Sequence, residues 1–593
     1  MCGVFFSLHG YDIEENTSSQ ELVYSLCANL RKANAERGPD RQSSIVRRIS
    51  DPQDLKRPVR TAEFYGSELR LRGEAAIQQP HELNGNILCW NGEIFGGLEV
   101  GPQENDGVKL LEALAAAKEA DEIIGIFGRL EGPYGFVYYH AALNQIFFAR
   151  DPLGRRSLLV HRPTAELPAL LISSVSSGTH PNLNFEEVST DCIHCLDIPT
   201  FDRSYAVTSN FVEACESSTS QLPRCPQDLE LPYAAPAKVN PAIPSAEFPQ
   251  VQTLGQIPDY LQGPVDEFLA VLDKATWLRV RDIPRTGTEG SARVSVLFSG
   301  GIDSTVVAYL AHKHVPLDEP IDLFNVGFEN PRKMKLQQAG NIGALPRRQQ
   351  KQKKQALGNG PPPAEPSYRV PDRVTGLQEL EELRRLCPGR TWNFVEVNVP
   401  YEETQNARER VEDLMLPSRT VMDLSLALAL YFAARGKGQI RSAPAADPVP
   451  YISPARVVLS GLGSDELLGG YGRHRTAYGY GGWPAVIEEL QLEIDRIPTR
   501  NLGRDDRIIS SHGKETRHPF LSLDVVSFVA GLPVHYKMDP RLETGTGDKM
   551  LLRLLTQKLG LVEASCRKKR AMQFGSHSAR MDGEKKGDAA LAE

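Results

Sequence analysis

Apolar positions along this chain fall into two patterns, and each predicts a different kind of element. Short unbroken runs read as buried strands: Val4-Phe5-Phe6 behind the first residues, Ile87-Leu88-Cys89-Trp90, Val294-Ser295-Val296-Leu297-Phe298, Phe324-Asn325-Val326-Gly327-Phe328 and Val457-Val458-Leu459. Apolar residues spaced by three and four read as helix faces. Leu22, Val23, Leu26 and Leu30 form one such face behind a capping box of Ser18 and Glu21, and the stop falls near Arg37-Gly38-Pro39-Asp40. Val265, Phe268, Leu269 and Leu272 form another, and Val306 to Leu310 continue a helix directly out of a glycine turn.

The punctuation between these elements divides the chain. Seven prolines from Pro223 to Pro249 interrupt any regular element and mark a linker over about 213–255. Residues 331–367 are rich in Gln, Lys, Arg and Gly, carry no acid before Pro363, and read as a disordered surface insertion; a solvated loop is the economical reading, and RNA or an acidic partner the other. A second insertion at about 437–451, rich in Ala and Pro, carries no identifiable chemistry. The expected order is a domain over 2–212, the linker, a domain over 256–580 and a tail over 581–593.

Composition narrows the class without naming it. A chain of 593 residues has room for two or more cores, and 41% hydrophobic with 24% charged residues is ordinary for a globular protein. A net charge of −8 gives no reason to expect nucleic acid, and no apolar run reaches the length of a membrane span. Nine scattered cysteines point to reduced thiols and a cytoplasmic location rather than a disulfide framework. Cys192-Ile193-His194-Cys195 has zinc-like spacing but no second pair, so two thiols at a strand edge is the preferred reading.

Three stretches carry chemistry. Ser299-Gly300-Gly301-Ile302-Asp303-Ser304-Thr305 follows a strand and opens a helix. Its glycines let the backbone approach an anion, the first-turn amides point at it, the hydroxyls donate to it, and Asp303 suits Mg²⁺. No Gly-Lys-Ser/Thr follows, so this is not the Walker pattern. Ser460-Gly461-Leu462-Gly463-Ser464-Asp465-Glu466 repeats the design after its own strand, with Asp465 as a second acid able to share Mg²⁺ with a departing pyrophosphate. At the N-terminus, trimming of Met1 would leave Cys2 with a thiol and a free α-amine, whose unperturbed pKa of about 7.7–8.0 lets it take the thiol proton. The partners of such a nucleophile follow in order. Arg37 suits a substrate carboxylate, Asn91 and Gly92 offer donors to an oxyanion, and Asp106 suits a substrate ammonium.

Taken together, these residues resemble known families. The loop at 299–305 looks like the pyrophosphate loop of ATP pyrophosphatases. Cys2, Arg37-Gly38-Pro39-Asp40, Asn91-Gly92-Glu93 and Asp106 match the glutamine site of class II glutamine amidotransferases. The two halves resemble the glutamine-hydrolysing asparagine synthetase family. Gly472 to Arg475, Val370 to Arg373 and Lys569 to Ser576 bring the chain closest to the asparagine synthetase domain-containing proteins of eukaryotes.

The resemblance implies an α/β protein: an αββα N-terminal-nucleophile sandwich followed by a Rossmann-like parallel-sheet ATP pyrophosphatase domain. It assigns Cys2 as nucleophile, Asn91 and Gly92 as oxyanion hole, and residues 37–40, 91–93 and Asp106 as glutamine ligands. It places Leu297, Val326, Ser460 and Gly461 at ATP, Ser299, Gly300, Gly301, Asp303 and Ser304 around its pyrophosphate, and Asp303 and Asp465 at Mg²⁺. The implied reaction passes ammonia from glutamine to an adenylated carboxylate, most simply aspartate, giving asparagine, AMP and pyrophosphate. The implied partners are these small molecules, with neither nucleic acid nor membrane.

Departures from the family fall where the acceptor would bind. Leu462 stands where the family has a glutamate, Met422 where it has an arginine, and Lys568 and Lys569 both lie near the family's catalytic lysine. A non-catalytic protein that binds glutamine or ATP as a signal, and an amidotransferase for another carboxylate, are the alternative readings.

Overall fold

A computed structural model describes residues 2–10, 18–49, 60–226, 229–285, 290–332, 368–443, 445–579, 581 and 589–591. The insertion expected at 331–367 therefore lies outside the described residues almost entirely, as does the side chain of Ser18.

The first half stacks two six-stranded antiparallel sheets. One is built from β1 (Gly3–His9), β2 (Arg41–Ile49), β3 (Arg60–Glu68), β8 (Leu159–His161), β9 (Ala169–Ser173) and β10 (Glu186–Glu187), in the order β10-β8-β9-β1-β3-β2. The other holds β4 (His81–Leu83), β5 (Asn86–Gly92), β6 (Tyr134–His140), β7 (Gln145–Arg150), β11 (Cys192–Asp197) and β12 (Thr219–Pro223), in the order β12-β11-β7-β6-β5-β4. Inward side chains such as Val4, Phe6, Phe64, Ile87, Val137 and Phe148 fill the space between them. Helices cover the outer faces. α1 (Ser18–Ala35) lays Val23, Leu26 and Leu30 on Phe5 and Leu171 of the first sheet, while α2 (Asp106–Ala115) and α3 (Ala120–Gly128) pack on the second. This is the expected αββα sandwich.

The second half is organised by one seven-stranded sheet. Its strands are β13 (Val294–Leu297), β14 (Ile321–Phe328), β15 (Trp392–Val399), β16 (Lys437–Ile440), β17 (Val449–Ile452), β18 (Val457–Leu459) and β19 (Glu515–Arg517), in the order β17-β16-β15-β14-β13-β18-β19. The five strands from β15 to β19 in that order are parallel, and only the edge hairpin β16–β17 is antiparallel. The chain winds outward from β13 through β14 to β15 and returns to the other side of β13 as β18. This reversal opens a crevice at the carboxyl ends of the strands, where open α/β sheets bind their ligands. Helices α4 (Asp259–Val280), α5 (Ile302–His314), α6 (Pro371–Leu386), α7 (Tyr401–Met415) and α8 (Val421–Arg435) flank the sheet, with α9 (Ser464–Leu468), α10 (Gly472–Arg500), α11 (Leu502–Ser510), α12 (Met550–Lys558) and α13 (Met572–Gly575) following.

Three local expectations change. The strand ending at Trp90 runs on through Asn91 and Gly92, which pair with Gly135 and Tyr134. The linker does not begin at 213: helix Phe211–Ser218 and β12 extend the second sheet to Pro223, because β12 pairs with β11 over five residues. The stretch at 437–451 is largely the β16–β17 hairpin rather than an irregular insertion.

Candidate functional site

Cys2 sits immediately before β1, which runs between β3 and β9 in the middle of the first sheet, so the residue is fixed from both sides and almost wholly buried. Its backbone nitrogen donates to Asn91 Oδ1 at 3.1 Å, and Gln79 Nε2 donates to its Sγ at 3.1 Å. Gln79 Oε1 in turn accepts from the Trp90 amide at 3.1 Å, which orients the side chain toward the thiol. Gln79 was not legible as a site residue; a lone glutamine near a strand carries no motif. Asn91 Nδ2 is buried with no partner and so has hydrogens left to donate. A buried donor without a partner costs about 1–3 kcal/mol, which an oxyanion formed beside it would recover. Gly92 is a steric requirement, since a Cβ there would lie 2.4 Å from the Trp90 ring.

Burial pushes the Cys2 thiol up to about 11, so at neutral pH it is a thiol and needs a base. Asp106, first residue of α2, accepts from Trp90 Nε1 at 3.3 Å and Ile94 N at 3.1 Å. Burial and then the neighbouring Glu93 push its carboxyl up to about 6. Glu93 itself is held by Arg72 and lies 3.4 Å from Arg517 of the other half.

The 37–40 segment departs from expectation. Arg37 was expected to face a substrate carboxylate. Instead its Nη2 lies 2.7 Å from Asp506 Oδ2, its Nη1 donates to Ser510 Oγ, and its Nε lies 3.4 Å from the Cys2 carbonyl oxygen. The Asp506 pair is buried on both sides. Gly38 packs against the backbone of Ser67 and Glu68, where a Cβ would come within 2.4 Å. Asp40 accepts from Arg456 of the second half at 3.0 Å and from the Arg70 amide at 2.7 Å. This turn clasps the two halves together, a role that spacing alone does not reveal because Asp506 and Arg456 lie more than 400 residues away.

The second half holds a cavity of about 350 Å³ at the strand crevice. Leu297, Ser299, Asp303, Ser304, Val326, Ser460 and Gly461 line it, so seven of the nine residues expected at the nucleotide converge there from three strand ends. Gly300 and Gly301 shape the loop behind them. Gly300 has φ +71°, and a Cβ on it would lie 2.4 Å from Gly376 N of α6. Phe298, Phe324, Leu430 and Ile509 give one end an apolar wall suited to a base.

The two glycine loops meet: a Cβ on Gly461 would lie 2.6 Å from that of Asp303. Asp303 and Asp465 share the ammonium of Lys549, each with an oxygen 2.7 Å from Nζ, and Lys569 also binds Asp465. Gly470 makes room for this, since a Cβ there would lie 2.4 Å from Lys549 Cε. Although burial opposes it, Asp303 and Asp465 raise Lys549, and the two lysines hold Asp465 well below the usual carboxylate range despite its burial. Among the described residues no group of three or more His, Cys, Asp and Glu gathers. Two carboxylates are nonetheless a sufficient protein share for Mg²⁺, which takes one or two of them together with substrate phosphates and water. Lys549 was not singled out from sequence; only the fold brings it between the two acids.

Helix α11 and strand β19 are walls common to both sites. On α11, Arg504, Asp505 and Ile509 face the cavity, while Asp506 and Ser510 hold Arg37. On β19, Thr516 faces the cavity, while Glu515 pairs with Arg156 at 2.8 Å and Arg517 reaches Glu93. Strand alternation sends successive residues to opposite sides. Beside it, Arg155 and Arg279 converge on Glu131, and Arg155 also donates to the Leu521 carbonyl at 2.8 Å.

Residues 283–342 and 479–590 match the asparagine synthase family. Curated relatives span nearly the whole chain. Asparagine synthetase domain-containing protein 1 of Gallus gallus is 37% identical over 92% of this chain and 93% of its own, and that of Homo sapiens 36% over 98% and 96%. An asparagine synthetase domain-containing protein of Saccharomyces cerevisiae is 31% identical over 89% of this chain and 86% of its own. A Bacillus subtilis glutamine phosphoribosylpyrophosphate amidotransferase, solved with ADP and GMP, is 15% identical over 60% of this chain and 71% of its own, with a TM-score of 0.25.

Proposed function

Because this chain belongs to the asparagine synthetase domain-containing protein family, we propose that it is a glutamine-dependent amidotransferase that adenylates a carboxylate with ATP and aminates it. The observation that supports this reading is the pairing of a buried thiol and an unpartnered Asn91 amide with a nucleotide-sized cavity, across one shared helix. In the first half, the α-amine exposed on Cys2 by loss of Met1 takes the thiol proton, and Sγ attacks the glutamine amide carbon. Asn91 Nδ2 and the Gly92 amide receive the oxyanion, Asp106 holds the substrate ammonium, and the proton taken from the thiol passes to the amide nitrogen as the C–N bond breaks; ammonia leaves and the glutamyl thioester that remains is hydrolysed by water.

In the second half, the loop at Ser299–Ser304 presents backbone amides and hydroxyls to the β- and γ-phosphates, and the apolar wall takes the adenine. Asp303 and Asp465 would hold Mg²⁺, which supplies charge neutralisation for the departing pyrophosphate. Lys569, beside Asp465 at the cavity wall, is the lysine this reading assigns to the reacting carboxylate and α-phosphate.

The test is glutamate release and ATP–pyrophosphate exchange by protein with a native N-terminus. The reading expects both activities, the first abolished by Cys2→Ala and the second untouched by it. Equal glutamate release by wild type and Cys2→Ala would overturn the first half of the reading, and absence of exchange with every carboxylic acid the second.

A further inference from the structure

The cavity's charges bear on what it can accept. Four cationic side chains line it: Arg500, Arg504, Lys569 and Arg570. Each already has a carboxylate. Arg500 lies 3.0 Å from Glu493, Arg504 lies 2.7 Å from Asp505 and also binds Asp423, Arg570 lies 3.6 Å from Asp372, and Lys569 binds Asp465. Arg504 is fully enclosed by its two partners, with its Nε and Nη2 on Asp505 and its Nη1 on Asp423. Drawing it toward a ligand would leave two carboxylates unmatched in a buried setting, where an unpaired charge is costly. Lys569 stands at the phosphate end and serves the reacting carboxylate. Among the described lining residues no cation is without a carboxylate partner, and Arg504 is the one most firmly held.

The same cavity also has an apolar share. Met422 and Leu426, one helical turn apart on α8, line it together with Leu462 of the second glycine loop and Met572 of α13. Glu466, which accepts from the Tyr471 hydroxyl, adds an acid to the same lining, which disfavours a further anion.

We propose that the acceptor is a monocarboxylic acid with an uncharged, largely apolar body rather than a dicarboxylic acid such as aspartate. This rests on the amidotransferase reading above and narrows it. The carboxylate oxygen attacks the α-phosphorus of ATP, and the bond from that phosphorus to the bridging oxygen breaks, releasing pyrophosphate. Ammonia then adds to the acyl carbon, the bond to AMP breaks, and one proton is lost from nitrogen. Met422, Leu426 and Leu462 contact the acceptor's body and set its specificity, because none of them pairs with charge.

ATP–pyrophosphate exchange by the full-length, N-terminally trimmed protein tests this, with aspartate and glutamate set against the chain-matched monocarboxylates butyrate and pentanoate, and against phenylacetate. The expected result is at least a tenfold higher kcat/KM with one or more monocarboxylates than with either dicarboxylate. Met422→Arg, at a position 42% exposed and so tolerant of a longer side chain, introduces a cation with no carboxylate assigned to it. It is expected to raise aspartate-dependent exchange at least tenfold relative to the monocarboxylates. A wild-type preference for aspartate, or a ratio unmoved by Met422→Arg, overturns the assignment while leaving the amidotransferase reading in place. Exchange with no acid at all, in protein that binds ATP by calorimetry, removes both.

Discussion

The two sites solve opposite problems. Around Cys2 most polar atoms are committed: the thiol to Gln79, the backbone nitrogen to Asn91, and Asp106 to Trp90 and Ile94, while Asn91 Nδ2 and Glu68 Oε2 wait for a partner. The cavity in the second half is an open volume of about 350 Å³ whose charges are matched among themselves. Covalent attack on an amide needs a few atoms held to within tenths of an ångström, and close packing in a sandwich supplies that. Adenylation needs room for a nucleotide and an acceptor together, and the crevice of an open sheet supplies that. Preorganisation is therefore carried by hydrogen bonds in one half and by compensated charge in the other.

This contrast yields graded outcomes. The largest effect is expected from the N-terminus: protein that retains Met1, or carries a tag before Cys2, should release glutamate only at background. The raised thiol then loses the free α-amine as its base, and ATP binding should be unaffected. Asn91→Ala should lower kcat for glutamine hydrolysis by about 10²–10³ with little change in KM, as steady-state kinetics would show. If KM moves instead, Asn91 acts on ground-state binding and the waiting-donor account fails.

Asp506→Asn tests the clasp. Leaving the Arg37 guanidinium buried beside a neutral amide should cost about 3–5 kcal/mol in denaturant unfolding, whereas Arg456→Ala, at the more exposed Asp40 pair, should cost about 1 kcal/mol or less. Equal costs would mean that burial is not what distinguishes the two links.

The smallest effect is on pH dependence. Asp106 has a folded-state pKa raised to about 6 from an ordinary 3.8, so between those values the folded chain binds more protons than the unfolded one. The stability contribution of this group is thus present at low pH and is lost as pH rises through about 4 to 6, by at most about 3 kcal/mol. Glutamine binding runs the other way, because the substrate ammonium needs the ionised form. kcat/KM should fall about tenfold per unit below pH 6, and Asp106→Asn should flatten the profile.

Legibility in the sequence follows the same division. Strand-turn-helix chemistry could be read because it is local: β13 with its glycine loop, β18 with its own, and the helix behind Leu22 to Leu30 all lie where apolar runs and glycines put them. Leu297, Val326 and Gly461 also line one cavity, as the family resemblance implied. What could not be read was set by distant partners. Arg37 belongs to Asp506, Asp40 to Arg456, and Lys549 to Asp303, pairings separated by 246 to 469 residues that no spacing encodes. Gln79 was missed because its role depends on the register that lays Trp90 beside it. β12 was mistaken for linker because it ends in Pro223; as the edge strand, it needs no donor on its outer side.

Of all measurements, intact-mass spectrometry of the protein quenched in acid while it turns over glutamine bears most directly on the central claim. The account predicts a glutamyl adduct on the N-terminal peptide that begins at Cys2, absent from Cys2→Ala. Absence of the adduct in wild type, with glutamate released at the same rate by both proteins, would contradict it.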